Sequence, residues 1–357
     1  MKRVFAAAAA AAMMIVPMLR ADDKPGDVNS GRVQEMRQIT QEYAKARQAY
    51  LQAMQSATTN EARAEASKNQ ATATVPLVAR AQKLIDANAK DAASLDALVF
   101  VATASPRTAG KALELLAEHH AASPKVVALI NTAGQLPGGE AFLKAVLEKN
   151  SDSKAKGVCC YQLGVSSHRR NDEKAAETYF SRIEKEFAAV EIGKTRAGKV
   201  VTLGEQAKKY LFEIRNLAIG KTAPEIVSHD LTGAATKLSA LRGKVVVLDI
   251  WATWCPPCRA MIPHEREMVE KLKDRPFALV SISADEKKET LTQFLEKEPM
   301  PWTHWWEGNT GKGMLNDWNI QFFPTIYVID AKGVIRHKGL RGKAMEEAVE
   351  KLLSETK

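Results

Sequence analysis

Two cysteines, Cys255 and Cys258, stand three positions apart and follow an apolar run closely. Residues 245–250, Val-Val-Val-Leu-Asp-Ile, predict a buried strand, and Pro257 favours the start of a helix after it. Two thiols on the first turn of a helix can close a disulfide, and the unpaired N–H groups and helix dipole there favour a thiolate. We therefore expect a redox-active dithiol with Cys255 as the nucleophile.

Two other uses of such a cysteine pair have to be weighed: a zinc half-site and a pair of inert core thiols. A zinc site needs a second ligand pair at a suitable spacing. The other cysteines of this chain are Cys159 and Cys160, which are adjacent and lie far upstream. The residues therefore favour redox chemistry, with no metal and no other cofactor expected.

Several stretches stand in a fixed order around this dithiol: IGKTAPEI at 219–226, DLTG at 230–233, LSALRGK at 238–244, CPPCRA at 255–260 and FPTIYVID at 323–330. In this order they resemble the thioredoxin superfamily, in particular the exported thiol–disulfide oxidoreductases of the TlpA/ResA type. The resemblance runs from about Ile219 to the end of the chain. It implies a cis peptide bond at Phe323-Pro324, protein disulfides as substrates, and a membrane thiol transporter of the DsbD or CcdA kind as reductant.

The apolar pattern predicts an α/β fold for the same region. Short aliphatic runs predict strands covered on both faces, and a helical pattern follows each of the first two, which is typical of a βαβ unit. The predicted strands are 244–250, 277–283, 323–329 and 334–340, and the predicted helices are 259–273, 287–298 and 344–353. The last two strands should form a hairpin around residues 330–333.

Asp249 lies six residues before Cys255. The resemblance to thioredoxins implies a buried carboxylic acid at this position, beneath the dithiol, whereas many TlpA-like proteins carry asparagine there. Burial would raise its pKa, so that it could take the proton of Cys258 when that thiol attacks a mixed disulfide. The alternative is a partly buried acid with local hydrogen bonds only. TlpA-like proteins often carry an acid three residues after the second cysteine, where this chain has Met261; Asp249 is therefore the main expected proton acceptor.

Aromatic residues are concentrated on both sides of the expected active site. We expect Trp254 and Phe323, together with Pro324 and Thr325, to border a groove that binds an extended substrate segment. The other aromatic residues just before Pro324 are expected to belong to the domain core: Trp302, Trp305, Trp306, Trp318 and Phe322.

The N-terminus has the pattern of a secretory signal peptide. Lys2 and Arg3 precede the apolar run 4–18, and Ala21 then meets a polar segment. We expect residues 1–21 to be cleaved on export to a periplasmic or other extracytoplasmic compartment; an uncleaved anchor and an organelle transit peptide are the alternatives.

The charge of the chain is mildly basic, at +9, and falls to +6 when the three basic residues of the first 21 are removed. The basic residues form no long run, so we do not expect nucleic-acid binding. A weak attraction to an anionic membrane surface stays open.

Residues 22–217 are Ala-rich and have helical periodicity. Similar segments recur at 111–116, 140–145 and 174–180, which suggests stacked helical hairpins, and residues 161–180 weakly resemble a tetratricopeptide unit. Residues 56–74 are read as a loose helix or a linker. Such a domain would present a binding surface or hold subunits together, or else be a plain spacer. Cys159 and Cys160 are read as small buried hydrophobes; electron exchange with Cys255, or a disulfide bridge, is the alternative.

We thus expect an all-α domain over residues 22–217 and a thioredoxin-like α/β domain over residues 218–357. The expected function is that of an exported thiol–disulfide oxidoreductase that reduces protein disulfides. A function of another class is also open: a helical adaptor or chaperone whose thioredoxin-like domain is a docking module. Such an adaptor would keep its function after both active-site cysteines are changed to serine.

Overall fold

The computed structural model of this protein describes residues 28–105, 107–195, 198–308 and 313–355. The predicted signal peptide, residues 1–21, lies outside the described residues. The chain divides into two compact units, of which the first ends at Gly204 and the second begins at Glu205. The expected domain boundary after residue 217 stays a prediction.

The first unit is helical over residues 30–190, as the sequence predicts. Its main helices are α1 (Val28–Ser56), α2 (Asn60–Ala87), α3 (Ala92–Ala104), α4 (Ala109–Leu115), α5 (Ile130–Ala133), α6 (Gly139–Lys149), α7 (Ser153–Arg169) and α8 (Glu173–Arg182), with further helical turns at Leu116–His120, Pro124–Leu129 and Ile183–Phe187. Residues 60–74 are part of α2, whose N-terminus is capped by the Thr59 hydroxyl. Among the described residues, none of the helices combines the length and apolar character needed to cross a membrane.

Helices α7 and α8 show how small residues allow close packing in this unit. A Cβ atom on Gly164 would lie 2.8 Å from the Phe180 ring, so only glycine permits this approach. Cys159 and Cys160 lie on α7 as fully buried free thiols. Burial raises the pKa of Cys159 to about 12 and that of Cys160 to about 11, so both stay protonated at neutral pH. These observations agree with their interpretation as small hydrophobes.

A small antiparallel hairpin departs from the expected all-α domain. Strands β1 (Glu191–Lys194) and β2 (Val200–Thr202) pair between the last helical turn of the first unit and α9 (Leu203–Asn216). The three β-branched residues 200–202 favour an extended backbone, which outweighs the helical pattern around them. The prediction of helices alone is therefore wrong for residues 191–194 and 200–202.

The second unit is built on a five-stranded mixed sheet. The strands β5 (Val245–Trp251), β6 (Phe277–Ser283), β7 (Thr303–Trp306), β8 (Thr325–Ile329) and β9 (Ile335–Lys338) lie in the order β7-β6-β5-β8-β9. The first three are parallel, whereas β8 runs antiparallel to β5 and β9 antiparallel to β8. A separate hairpin of β3 (Val227–His229) and β4 (Ala235–Lys237) turns at the DLTG segment, residues 230–233.

Helices cover both faces of the sheet, which explains why all seven residues of β5 are buried. On one face α11 (Ile262–Leu272) and α14 (Gly342–Glu355) pack on the alternate β5 residues Val245 and Val247. On the other face, residues of α12 (Lys288–Lys297) and α13 (Met314–Asp317) pack on Val246, Leu248 and Ile250. The predicted α/β fold is confirmed.

Strand β7 and the side chain of Phe322 differ from what the sequence predicts. β7 was not predicted, because its residues Thr-His-Trp-Trp lack the aliphatic run that identified the other central strands. Phe322 was expected in the core, but its side chain is 67% exposed. Phe322 lies in the bend before β8, where Phe323 packs partly on the core and Phe322 does not.

Candidate active site

The two expected active-site cysteines are joined at the start of a short helix that follows β5. Cys255 caps α10 (Pro256–Arg259), and its Sγ is bonded to that of Cys258 at 2.09 Å. The Cys258 N–H donates to the Cys255 sulfur at 3.2 Å, and the Arg259 N–H donates to the Cys255 carbonyl. In this disulfide the two residues are 4% and 3% exposed, so their exposure does not distinguish the nucleophile.

A buried carboxylate fixes the loop that carries the dithiol. Asp285, two residues after the end of β6, accepts the Thr253 hydroxyl at 2.7 Å and the Thr253 N–H at 3.1 Å. It also accepts the Ser283 hydroxyl at 2.8 Å. Thr253 stands two residues before Cys255, so these bonds hold the backbone from which Trp254 and Cys255 project. No sequence motif reveals this pair, because its members lie 32 residues apart.

Asp249 is buried on the face of the sheet that α11 and α14 cover, with 3% of its surface exposed. Its Oδ2 accepts the Ser281 hydroxyl from the neighbouring strand at 3.4 Å, and Ser281 in turn accepts the Trp302 indole N–H at 2.8 Å. Burial raises the pKa of Asp249 to about 7, although the Ser281 hydrogen bond and the Arg341 charge act against this rise. The carboxyl group therefore gains and loses its proton near neutral pH.

A second buried acid, Glu265 on α11, was missed by the sequence reading. It is 1% exposed, and burial and the nearby Asp249 charge raise the pKa of its carboxyl to about 9. A signal was available: position 265 is three residues from both Ile262 and Met268, and so falls within the apolar stripe of its helix. The neighbouring charged residues made it look like part of a solvated face.

The expected groove residues meet beside the dithiol. Trp254 is 59% exposed, and its ring lies edge-on to Phe323 with the centroids 5.6 Å apart. The Phe323-Pro324 peptide bond is cis, which confirms the expectation from the resemblance. Thr325 pairs with Ile250 at the end of β5, and its hydroxyl donates to the Phe322 carbonyl at 2.7 Å. Exposed aromatic surface thus lies at the sheet end that carries the disulfide.

Comparison with known proteins accounts for most of the second unit. The Redoxin family model matches residues 218–353. The thiol-disulfide oxidoreductase ResA of Geobacillus kaustophilus is 30% identical over 141 residues, which are 40% of this chain and 79% of that protein. ResA of Bacillus cereus is 29% identical over 134 residues, 38% of this chain and 76% of that protein. The chain belongs to the ResA/TlpA-like thiol–disulfide oxidoreductases.

A solved structure also matches this ResA-like region. The thioredoxin domain of a thiol-disulfide oxidoreductase from Bacteroides vulgatus is 31% identical, with a TM-score of 0.37; the match covers 39% of this chain and 99% of that domain. The activity of the family, thiol–disulfide exchange, agrees with the dithiol expected from the sequence. The Redoxin match, at residues 218–353, leaves the helical first unit outside the shared region.

The hydrogen bond between Thr253 and Asp285 should contribute to the stability of the second unit, called the ResA-like unit below. We expect Thr253→Val to lower the free energy of unfolding by about 1.5–3 kcal/mol, because a buried carboxylate loses a donor. The six tryptophans all lie between residues 251 and 318, so urea unfolding followed by tryptophan fluorescence reports on this unit.

Thr232→Val is the matched control for that variant. The Thr232 hydroxyl donates to Asp230 at the same 2.7 Å, but in an exposed turn. Its loss should cost well under about 1 kcal/mol, because water replaces the donor. Equal losses for the two variants would contradict a special role of the buried bond.

The two buried acids should make the ResA-like unit less stable as the pH rises. Both have a folded-state pKa above the ordinary carboxyl value, so their stabilising effect is complete below about pH 4 and is lost as the pH passes the folded values. For Asp249 the raised pKa lies at about 7, so its stabilising effect is lost as the pH rises to neutral. Urea unfolding at pH 5, 7 and 9 should therefore show a falling free energy of unfolding.

Asp249→Asn should make the fall between pH 5 and 7 clearly smaller, since asparagine does not ionise, and the remaining fall should come from Glu265, whose pKa burial keeps raised. Glu267→Gln, on the exposed side of the same helix as Glu265, serves as control and should leave the dependence unchanged. An Asp249→Asn protein with the pH dependence of the parent would show that Asp249 titrates normally.

Proposed function

We propose that this protein is an exported protein-disulfide reductase in which Cys255, Cys258 and Asp249 carry out the reaction. The observation that carries the proposal is the pair Cys255–Cys258 at the start of α10, with a buried acid on the strand before it and exposed aromatic side chains beside it. Family membership supports thiol–disulfide exchange as the chemistry. The direction of electron flow is inferred by analogy with the TlpA/ResA type.

In the proposed cycle the reduced enzyme gives two electrons to a substrate disulfide. The Cys255 thiolate attacks one substrate sulfur, a mixed disulfide forms, and the other substrate sulfur leaves as a thiolate. The Cys258 sulfur then attacks Cys255 Sγ, while the proton of Cys258 passes to the Asp249 carboxylate. The bond between Cys255 and the substrate breaks, and the second substrate thiolate leaves. The enzyme ends as the Cys255–Cys258 disulfide.

Trp254, Phe323, Pro324 and Thr325 are proposed to bind the substrate segment. Their support is the contact between the exposed Trp254 ring and the half-buried Phe323 ring, which offers apolar surface next to the disulfide. An extended or unfolded segment suits such a surface, because it brings both apolar side chains and a free backbone to it. The helical first unit is proposed to select partners or hold subunits together, and a membrane thiol transporter of the DsbD or CcdA kind to reduce the disulfide again.

Insulin reduction by dithiothreitol tests the activity on the full chain. The parent should accelerate the reaction, and Cys255→Ser/Cys258→Ser should reduce it to the rate of dithiothreitol alone. Cys159→Ala/Cys160→Ala is the control that keeps the active site, and it should retain the activity. If the serine variant were as active as the parent in a partner-dependent assay, the protein would be an adaptor instead.

The redox potential tests the direction of electron flow. Equilibration with glutathione should give a value closer to that of thioredoxin, about −270 mV, than to that of DsbA, about −120 mV. A value near the DsbA potential would make the protein an oxidase of thiols.

Export is proposed from the basic residues 2–3 and the apolar run that follows them. When the full gene is expressed in a Gram-negative bacterium, the periplasmic fraction should contain a protein that begins at Asp22. A cytoplasmic protein that keeps Met1 would contradict export.

A further inference from the structure

Glu265 occupies a position in the second unit where an apolar side chain would be expected. It shares one stripe of α11 with Met268 and Leu272, three and seven residues further along. Those two side chains pack in one cluster with Val245 and Val247 of β5. The Glu265 side chain is therefore directed into the layer between α11 and the sheet, which its 1% exposure confirms.

Asp249 enters the same layer from the sheet. It follows Val245 and Val247 at alternate positions of β5, so all three project from one face. Asp249 is the one closest to the end of β5, from which the chain continues to the dithiol. Glu265 lies in the first turn of α11, the end of that helix nearest to Cys258. The two acids thus share the part of the layer closest to the disulfide.

Neither carboxyl group is fully paired. Within the part of the chain that the structure describes, Asp249 Oδ1 and Glu265 Oε1 are buried and have no hydrogen-bond partner. A buried polar oxygen without a partner destabilises the folded state. Stability therefore does not account for a carboxyl group at position 265, where leucine or methionine would pack with the stripe.

Other charged and titratable groups surround Asp249 and Glu265. The main negative charge near each of these acids is nevertheless the other acid. Arg341, before α14, lowers the pKa of Asp249 through its charge. His304 of β7 belongs to the same cross-strand row as Asp249, and burial lowers its pKa, which keeps it neutral. His264 lies 3.5 Å from Glu346 of α14, which also binds a lysine of α11.

We propose that Glu265 is a positioning residue that forms a coupled acid pair with Asp249, so that the pair, and not Asp249 alone, holds the proton released by Cys258. This inference rests on the proposed resolution step. In that step Asp249 begins ionised and Glu265 protonated, because two negative charges in one buried layer repel each other. The Cys258 proton passes to Asp249, the Cys258–Cys255 bond forms, and the substrate leaves as a thiolate. The pair goes from one negative charge to none.

The coupling has a direct consequence for Glu265 when its partner is removed. In Asp249→Asn the negative charge is gone, so Glu265 should ionise at lower pH than in the parent. It can then accept a proton in the layer, which leaves the variant with a residual rate of resolution. Asp249→Asn/Glu265→Gln should lose that residual rate as well.

Carbon-13 NMR of the side-chain carboxyl groups in the full chain tests the pair without using the redox reaction. The titration midpoint of Glu265 should shift downward in Asp249→Asn relative to the parent. A Glu265 midpoint that is the same in both proteins would overturn the proposal. Because this titration needs no substrate, a protein that failed as an oxidoreductase would still show whether the acids are coupled.

Resolution rates at pH 7 to 8 provide the functional arm. A mixed disulfide on Cys255 should resolve several-fold more slowly in Asp249→Asn/Glu265→Gln than in Asp249→Asn/Glu267→Gln, which changes an exposed acid of the same helix. Glu265→Gln alone should change the rate much less, since Asp249 remains. Equal rates for the two double variants would overturn the proposal. If a double variant does not fold, the titration of Asp249→Asn alone decides.

Discussion

Cys258→Ser should stop the reaction at the mixed disulfide. Cys255 can still attack a substrate disulfide, but serine provides no thiol to release it. We expect the purified variant to accumulate covalent adducts with disulfide-containing proteins, which disappear on addition of dithiothreitol. Insulin reduction should fall to the rate without enzyme. Non-reducing electrophoresis and mass spectrometry of the adducts measure the result.

Cys255→Ser is the matched control for this experiment, because it keeps one thiol of the pair but removes the proposed nucleophile. It should form far fewer adducts, since the Cys258 backbone N–H donates to the sulfur of Cys255 at the helix start and so favours a thiolate there. The two sulfurs are equally buried in the disulfide, so this hydrogen bond and the helix start distinguish them. More adducts with Cys255→Ser than with Cys258→Ser would reverse the assignment.

The features that the sequence predicts well are contiguous ones. Cys255 and Cys258 are fixed relative to β5 by a few residues of chain, and the segment around Pro324 is recognisable by itself. The aliphatic run of β5 indicates a strand buried on both faces, and helices do cover both faces. The cysteine pair and the strand before it are both encoded within one short stretch of sequence, so predicting them does not require knowledge of distant contacts.

The features that the sequence does not reveal depend on distant partners. Nothing in the sequence distinguishes Thr253 and Asp285 from other polar residues. They come within hydrogen-bond distance because they follow the ends of the paired strands β5 and β6. The Thr-His-Trp-Trp strand β7 is stabilised by pairing with β6, which composition does not show. Glu265 lies among charged residues, and only its place in the apolar stripe marks it as buried. In each case the local sequence is compatible with more than one structure, and contacts with residues distant in the sequence determine which structure forms.

Asp249→Asn should slow the release of the mixed disulfide more than its formation. The acid accepts the proton of Cys258, whereas formation uses the Cys255 thiolate, which the start of α10 favours. Loss of a positioned proton acceptor typically costs about 10²–10⁴-fold, and we expect the low end of this range. Stopped-flow measurement with a peptide disulfide that carries a chromophoric leaving group separates the two steps.

We expect a loss of rate at the low end of this range because of a second acid in the buried layer that contains Asp249. Asparagine at 249 removes a negative charge, and Glu265, whose pKa that charge helps to raise, becomes easier to ionise. Part of the lost basicity is thereby replaced within the same buried layer. Ser281→Ala is the control: it removes the hydrogen bond to Asp249 but keeps the acid, so it should slow release by much less than Asp249→Asn. If formation and release kept their parent rates in Asp249→Asn around neutral pH, Asp249 would have no part in the mechanism, and the proton of Cys258 would leave by another route.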